Sequence, residues 1–378
     1  MDIKGNAIRQ VEGNLPSFSR KYKFSYATDN FYTPISEPKG WTDGFWPGEL
    51  NLAYELTGER KFLDEAEAFV PLFFDRIVDH VAVDHHDMGF LYSPTCVAQY
   101  QFTGNKDAKR AALLAADHLC LRYHEIGRFI QCWGKIGDKD NYRCIIDCLM
   151  NIPLLFWAYD ETGWEHYHDV AINHLHTAEE TIIRKDGSVF QSYFLDPETG
   201  KPLRGAAHQA YSDSSTWARG ESWAVYGLAI AYRYTHEAKA KELFFKTLDC
   251  FLTHLPDDSI PYWDFTFKEG SGEPRDSSAL AVTICGMLEM AENLREEDKE
   301  IAFTLRAKAG TLFQELVKSC AVTDPALSNG QLLHSTYSRK SPYNTCKECG
   351  VDECTAWGDY YYLEAMLRLE KPGWKPYW

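Results

Sequence analysis

A five-residue punctuation recurs between apolar helical stretches, and it constrains the fold more than any other feature. Tyr54-Glu-Leu-Thr-Gly58, Tyr100-Gln-Phe-Thr-Gly104 and Tyr159-Asp-Glu-Thr-Gly163 each close one periodic run and precede another, and Tyr232-Arg-Tyr-Thr-His236 repeats them with His in the glycine place. A glycine just past a helix fits the left-handed position that stops it, and the Thr before it is placed to help cap the helix that follows. Each copy is therefore an outgoing helix, a tight turn and a returning helix. The copies lie 46, 59 and 73 residues apart, so short turns alternate with longer connections. Periodicity predicts twelve helices, over 5–24, 43–57, 61–80, 88–104, 106–124, 142–162, 166–184, 218–235, 239–255, 277–295, 299–320 and 355–370. Strand signals are sparse, with short hairpins expected at Gly187–Leu195 and Ser259–Phe267. Six helical hairpins close naturally into a double layer of inner and outer helices. The short turns then crowd one rim, and the long segments 25–44, 80–88, 125–141, 185–217, 256–276 and 322–354 build a cleft on the other. The alternative is an open helical solenoid, but neither end carries the amphipathic capping repeat that a solenoid needs. No linker or low-complexity tract divides the chain, so residues 1–378 are expected to form one all-α domain.

The net charge of −16 argues against nucleic acid or an anionic membrane as the main partner. An anionic substrate would have to be met by a local cationic patch. Eleven Trp and 22 Tyr exceed what a core needs; sugar clefts use flat aromatic faces, although most of these rings also suit a large helical core. No apolar run is long enough to span a membrane, and Met1 to Phe18 lacks the apolar core of a signal peptide. Eleven cysteines, an odd number at irregular spacings, point to reduced thiols and a cytoplasmic protein. No cofactor or metal is expected, and the pattern sets no oligomeric state.

Two carboxylates stand in contrasting surroundings. Asp147 lies in the apolar stretch Arg143-Cys-Ile-Ile-Asp-Cys-Leu-Met-Asn-Ile-Pro-Leu-Leu-Phe-Trp157. A buried helix is expected there, and burial raises a carboxyl pKa. Arg143 at i−4 and Asn151 at i+4 would share the Asp147 face. Asp147 is then either a general acid or base tuned toward neutral pH or the buried ion-pair partner of Arg143. Asp87 ends Asp84-His-His-Asp87 and precedes Met88-Gly-Phe-Leu-Tyr92, at the expected start of a helix. The helix dipole favours its ionised form, so it is either a plain N-cap or a residue kept charged for function. Carboxylates pushed in opposite directions suit an acid and a charged partner. A metal site on Asp84-His85-His86-Asp87 is disfavoured, because adjacent residues do not easily converge on one ion.

Seven segments carry a family resemblance: Trp41-Thr-Asp-Gly-Phe-Trp46, Asp84-His-His-Asp-Met-Gly-Phe90, Ile145-Ile-Asp-Cys-Leu149, His208-Gln209, Ser215-Thr-Trp-Ala-Arg-Gly220 with Trp223, Arg275-Asp-Ser-Ser-Ala279 and Trp357-Gly-Asp-Tyr-Tyr-Tyr-Leu-Glu-Ala365. Together, and in this order, they resemble the unsaturated glucuronyl hydrolases of glycoside hydrolase family 88. The resemblance implies an (α/α)6 barrel. It also implies an unsaturated uronic-acid oligosaccharide as substrate, of the chondroitin or hyaluronan type left by a polysaccharide lyase. By this resemblance Asp147 is the acid/base and Asp87 the second essential carboxylate, while Trp41, Trp133, Gln191, Gln209, Arg219 and Trp223 fall on substrate-contacting positions. Protonation at C4 of the enol ether makes C5 cationic, water adds there, and the hemiketal opens to release the next sugar. Arg219 suits the uronate carboxylate, because a guanidinium binds carboxylates in a fork.

The chain departs from the family pattern at Gln191, where members carry His in the segment before the Phe-Asp-Pro turn. The loop Ser338 to Gly350 resembles, without matching cleanly, a sulfate-binding Ser/Lys motif of some members, and it also fits a solvated basic loop. Cys346-Lys-Glu-Cys349 is a single pair, which does not make a four-ligand structural zinc site. Other functions remain in view: hydration of unsaturated rhamnogalacturonyl substrates, a sugar epimerase or isomerase relying on paired His bases, and a non-catalytic sugar-binding protein.

Overall fold

Burial sorts the helices into two layers: six are covered almost all round and six along one face. In the computed structural model, which describes residues 2–378, the helices are α1 (Ile3–Phe18), α2 (Phe45–Thr57), α3 (60–78), α4 (88–103), α5 (Lys106–Cys120), α6 (148–162), α7 (Glu165–Thr181), α8 (Ala218–Thr235), α9 (Ala238–Thr253), α10 (Ser277–Asn293), α11 (Lys299–Cys320) and α12 (Ala356–Glu370). Helix α4 contains a π turn at Ser93–Val97, and α3 and α6 are each interrupted once. The even-numbered helices form the inner layer. Each packs against the next from α2 to α12, and α12 returns to α2. The ring is therefore closed, which excludes the solenoid, and the architecture is the expected (α/α)6 barrel.

The punctuation works as read. Gly58, Gly104, Gly163 and His236 all have positive φ, and each N–H donates to the carbonyl of the Tyr that opens its motif. The Thr hydroxyl does two jobs. It donates to the carbonyl four residues back, and it accepts the N–H of Glu59, Asn105, Trp164 or Glu237, the N-cap residue of the returning helix. These tight turns leave the C-terminal ends of inner helices, so every inner helix starts at the opposite rim, where the long loops lie.

Several expected helix ends are strands instead. β1 (Tyr22–Lys23) pairs with β2 (Pro34–Ile35), and β3 (Tyr123–His124) with β4 (Phe129–Ile130). β5 (Arg143–Ile145) joins β6 (Ser192–Leu195) and β7 (Pro202–Ala206) in an antiparallel sheet. The run Cys144-Ile-Ile146 is apolar on every side, and so short a run fits a buried strand as well as a helix. Of the hairpin expected at Gly187–Leu195 one strand is present, as β6, and its partners β5 and β7 lie outside that segment. The hairpin expected at Ser259–Phe267 is absent; that segment makes only the isolated bridges Trp217 to Asp264 and Tyr262 to Arg275.

Two glycines bring inner helices into backbone contact. A Cβ on Gly89 of α4 would stand 2.5 Å from Asn151 Cα of α6, and one on Gly227 of α8 would stand 2.3 Å from Leu149 Cβ. Helix α6 is thus held between α4 and α8 with no room for a methyl group. Gly89→Ala is expected to cost about 1–3 kcal/mol through overpacking, and to lower the midpoint of thermal unfolding measured by circular dichroism.

Candidate active site

The long-loop rim encloses a cleft of about 480 Å³. Asp87 and Asp147, at the N-cap positions of α4 and α6, both line it. Asp147 does not sit inside a helix as expected, because β5 ends just before it. Arg143 is accordingly not on its face. The Arg143 guanidinium lies over the rings of Trp133 at 4.8 Å and Phe194 at 4.9 Å, so the alternative reading of Asp147 as its buried ion-pair partner does not hold. Asn151 links the two aspartates. Its amide donates to the Asp147 carbonyl at 3.1 Å and reaches Asp87 Oδ1 at 3.5 Å, while its oxygen accepts the Phe90 N–H.

The group that does face Asp147 is His86. The His86 ring is buried, with Nε2 3.2 Å from Asp147 Oδ1 and 3.4 Å from Asp87 Oδ1. Burial pushes the Asp147 carboxyl above its ordinary value; His86 opposes that shift and the charge of Asp87 adds to it. Burial acts the same way on Asp87, but there His86, His85 and the Asn151 amide outweigh it and hold the carboxyl below its usual range. The imidazole is in turn kept above its ordinary value, because the two carboxylates outweigh its own desolvation. The opposite shifts read from the sequence are present: burial raises Asp147, as expected, while Asp87 is held down by His86, His85 and Asn151. His86, Asp87 and Asp147 also bring three ligand-type atoms within 4.8 Å of one another.

Arg219, in the first turn of α8, lies between the rings of Trp217 and Trp357 at 4.3 and 4.5 Å. It donates to the carbonyls of Thr336 and Tyr337 at 2.7 and 2.6 Å, and Asp276, the N-cap residue of α10, lies 3.6 Å away. Its Nε has no partner. Gln209 donates to the same Tyr337 carbonyl. Trp41 stacks on Trp357 at 5.2 Å, Trp223 packs against Phe90 at 5.1 Å, and Trp133 meets the His208 ring at 5.4 Å. Trp41, Trp133, Gln209, Arg219 and Trp223 therefore share one cleft with the two aspartates.

Gln191 does not line the cleft. It is buried beneath Gln209, and its amide oxygen accepts three successive backbone N–H groups, those of His208, Gln209 and Ala210, at 2.7, 2.6 and 3.0 Å. It shapes the turn that carries Gln209, and its expected direct contact with substrate is corrected to that supporting place. Sequence reasoning missed His86, Trp217 and Tyr337 as site residues. It also left the loop 338–350 open, whereas Ser338, Thr345, Cys346, Lys347 and Cys349 form a wall of the cleft. Arg339 is paired to Glu273 and Glu348, and Lys340 donates to the Asn344 carbonyl. Lys347 is the cation of this loop that lines the cleft.

A closed helical barrel with an acidic pair on the floor of an aromatic cleft defines an enzyme that acts on carbohydrate. The chain belongs to Glycosyl Hydrolase Family 88, whose profile matches residues 18–347, and it is a glycoside hydrolase. It is 44% identical to the unsaturated chondroitin disaccharide hydrolase of Streptococcus pneumoniae (strain ATCC BAA-255 / R6) over 98% of this chain and 91% of that one. The unsaturated glucuronyl hydrolase structure from Streptococcus agalactiae superposes with a TM-score of 0.94 at 42% identity, covering 100% of this chain and 93% of the other. A mutant of the S. agalactiae enzyme, complexed with dGlcA-GalNAc6S, gives 0.86 at 38% identity, with 100% and 92% covered.

Gln191→Ala is expected to strand the three N–H groups it serves, of which that of Ala210 is buried. A loss of about 1–3 kcal/mol in denaturant unfolding, with a raised KM as Gln209 loosens, would bear this out, whereas unchanged stability would contradict the clamp.

Proposed function

We propose that this enzyme adds water across the C4=C5 double bond of the unsaturated glucuronic acid at the non-reducing end of lyase-generated oligosaccharides, with chondroitin-type disaccharides as its substrates. The observation that carries the mechanism is the placing of two carboxylates around one buried imidazole, with their pKa values pushed in opposite directions. Asp147, whose burial favours its protonated form, delivers its proton to C4. The cation that develops at C5 is supported by Asp87, which stays charged. Water then adds at C5 and returns a proton to Asp147, and the hemiketal opens to release the second sugar.

The remaining roles follow from position. Arg219, which lines the cleft, places its positive charge where a uronate carboxylate would bind. Trp41, Trp133 and Trp223 provide the apolar faces for the sugar ring. Lys347, with Ser338 and Thr345, suits a sulfate on the second sugar, a reading supported by the sulfated disaccharide bound to the S. agalactiae relative. Eleven unpaired thiols support a reducing compartment such as the cytoplasm, and among the described residues no helix is long and apolar enough to cross a membrane.

The reaction is followed as loss of the ultraviolet absorbance of the conjugated enol carboxylate. Asp147→Asn is expected to reduce kcat by at least about 10²-fold on an unsaturated chondroitin disaccharide; an active variant would remove Asp147 from its role. Exclusive activity on a rhamnose-linked substrate would move the enzyme to pectin degradation. The pH profile should be bell-shaped. Activity falls as pH rises through the raised Asp147 value, because the proton donor is lost, and it falls as pH drops through the depressed Asp87 value. Lys347→Ala should raise KM for the 6-sulfated disaccharide and leave the unsulfated one unchanged, and equal effects on both would exclude a sulfate contact.

A further inference from the structure

We infer that His86 is a positioning residue of this reaction, a buried wedge that sets how the two carboxylates face each other and steadies Asp147 when it gives up its proton. The inference rests on Asp147 being the acid/base.

The ring is buried and does not line the cleft, so it is not placed to touch substrate. Its backbone N–H donates to the Cys132 carbonyl at 3.1 Å, which fixes the segment against the loop that carries Trp133. Nε2 stands 3.2 Å from Asp147 and 3.4 Å from Asp87, yet neither oxygen is aligned for a hydrogen bond, and Asp147 Oδ1 is left without a partner. Catalytic hydrogen bonds are often loose in a free enzyme and tighten when substrate binds. An unaligned imidazole between two carboxylates fits that description.

The surroundings leave few other sources of charge. On the His86 segment, His85 Nδ1 accepts the Asp87 N–H at 3.1 Å. Arg122, at the end of α5, opposes a charge on His86, but its guanidinium is taken up by Asp84 and by the carbonyls of Gln131 and Gly134. From α7 comes His174, whose Nδ1 accepts the Ile130 N–H at 3.1 Å. Burial and the charge of His86 push the His174 ring down to about 3, so it stays neutral. His174 Nε2 and His86 Nδ1 are both buried without protein partners.

The chemical need is direct. Once Asp147 has protonated C4 it becomes an anion beside the ionised Asp87, and the imidazole between them is the nearest counter-charge. Without it, like charges at this distance resist ionising together, and the proton on Asp147 becomes harder to give.

The test is His86→Gln, which keeps a polar side chain and loses the charge, assayed beside Asp147→Asn on an unsaturated chondroitin disaccharide. We expect kcat to fall about 10²-fold, the loss typical of a mispositioned catalytic group, with KM little changed. Both limbs of the pH profile should move to higher pH, because removing the imidazole lets Asp87 and Asp147 both rise. A merely structural role would lower the unfolding temperature without moving the limbs. A folded variant with wild-type kcat and unshifted limbs overturns the inference, while an active Asp147→Asn overturns the mechanism beneath it. If the Gln variant does not fold, the His86 ring N–H resonance decides: a shift on Asp147→Asn supports the contact, and an unmoved signal ends the proposal.

Discussion

The site depends on the direction of the inner helices. Tight turns follow α2, α4, α6 and α8 at their C-terminal ends, so these inner helices start at the same rim. Among the N-cap residues of the inner helices, Asp87, Asp147 and Trp217 line one cleft. Each N-terminus carries roughly half a positive charge and unsatisfied N–H groups. Three of the caps are aspartates, and their contacts separate them. Asp276 accepts the Ser278 hydroxyl and lies beside Arg219, whereas Asp87 and Asp147 share His86.

Packing turns that direction into fixed distances. Gly89 and Gly227 seat α4 and α8 on α6 at backbone contact, so the starts of three helices cannot drift apart. At the seam where α12 meets α2, Lys23 of β1 lies 2.8 Å from Glu49 and 3.3 Å from Asp359, all three fully buried. Such a group is costly to bury, and far costlier to leave with one partner missing. It ties the first loop to both ends of the ring. Below the cleft, Phe90 touches Trp41, Trp223 and Trp378, so the aromatic floor is continuous with the barrel core.

The helices were legible because their apolar period extends over many residues and the turn motif marks their ends. The boundary at Asp147 was not, because Cys144-Ile-Ile146 is too short to show a period. That single ambiguity placed Arg143 on the wrong face and hid β5. The sequence-derived candidates on the cleft came from segments with distinctive neighbours, such as Trp41-Thr-Asp-Gly-Phe-Trp46. His86 was invisible for a different reason. Its significance lies in its approach to Asp147, 61 residues away, and within its own segment it looks like one of two adjacent histidines. Gln191 was noticed as an oddity of type, but the three N–H groups it gathers belong to a turn on another segment. Lys347 differs from Arg339 and Lys340 only in which neighbours neutralise it, and no local pattern encodes that.

The spacing of the carboxylates also bears on the chemistry. In an inverting glycosidase the two carboxyl groups stand roughly 6.5–9.5 Å apart, to admit a water between them. Here one oxygen of Asp87 and one of Asp147 lie within 4.8 Å of each other beside His86. A retaining enzyme accepts a shorter spacing but needs a free nucleophile. The Asn151 amide reaches Asp87 Oδ1 at 3.5 Å, and the Asp87 carboxyl is held below its usual range, which makes it a fixed charge and a poor nucleophile. Asp147, which lines the cleft with its pKa raised by burial, is the member of the pair equipped to move a proton. One mobile proton beside one fixed negative charge does not suit displacement at an anomeric carbon, and it is what protonation and hydration of an enol ether require.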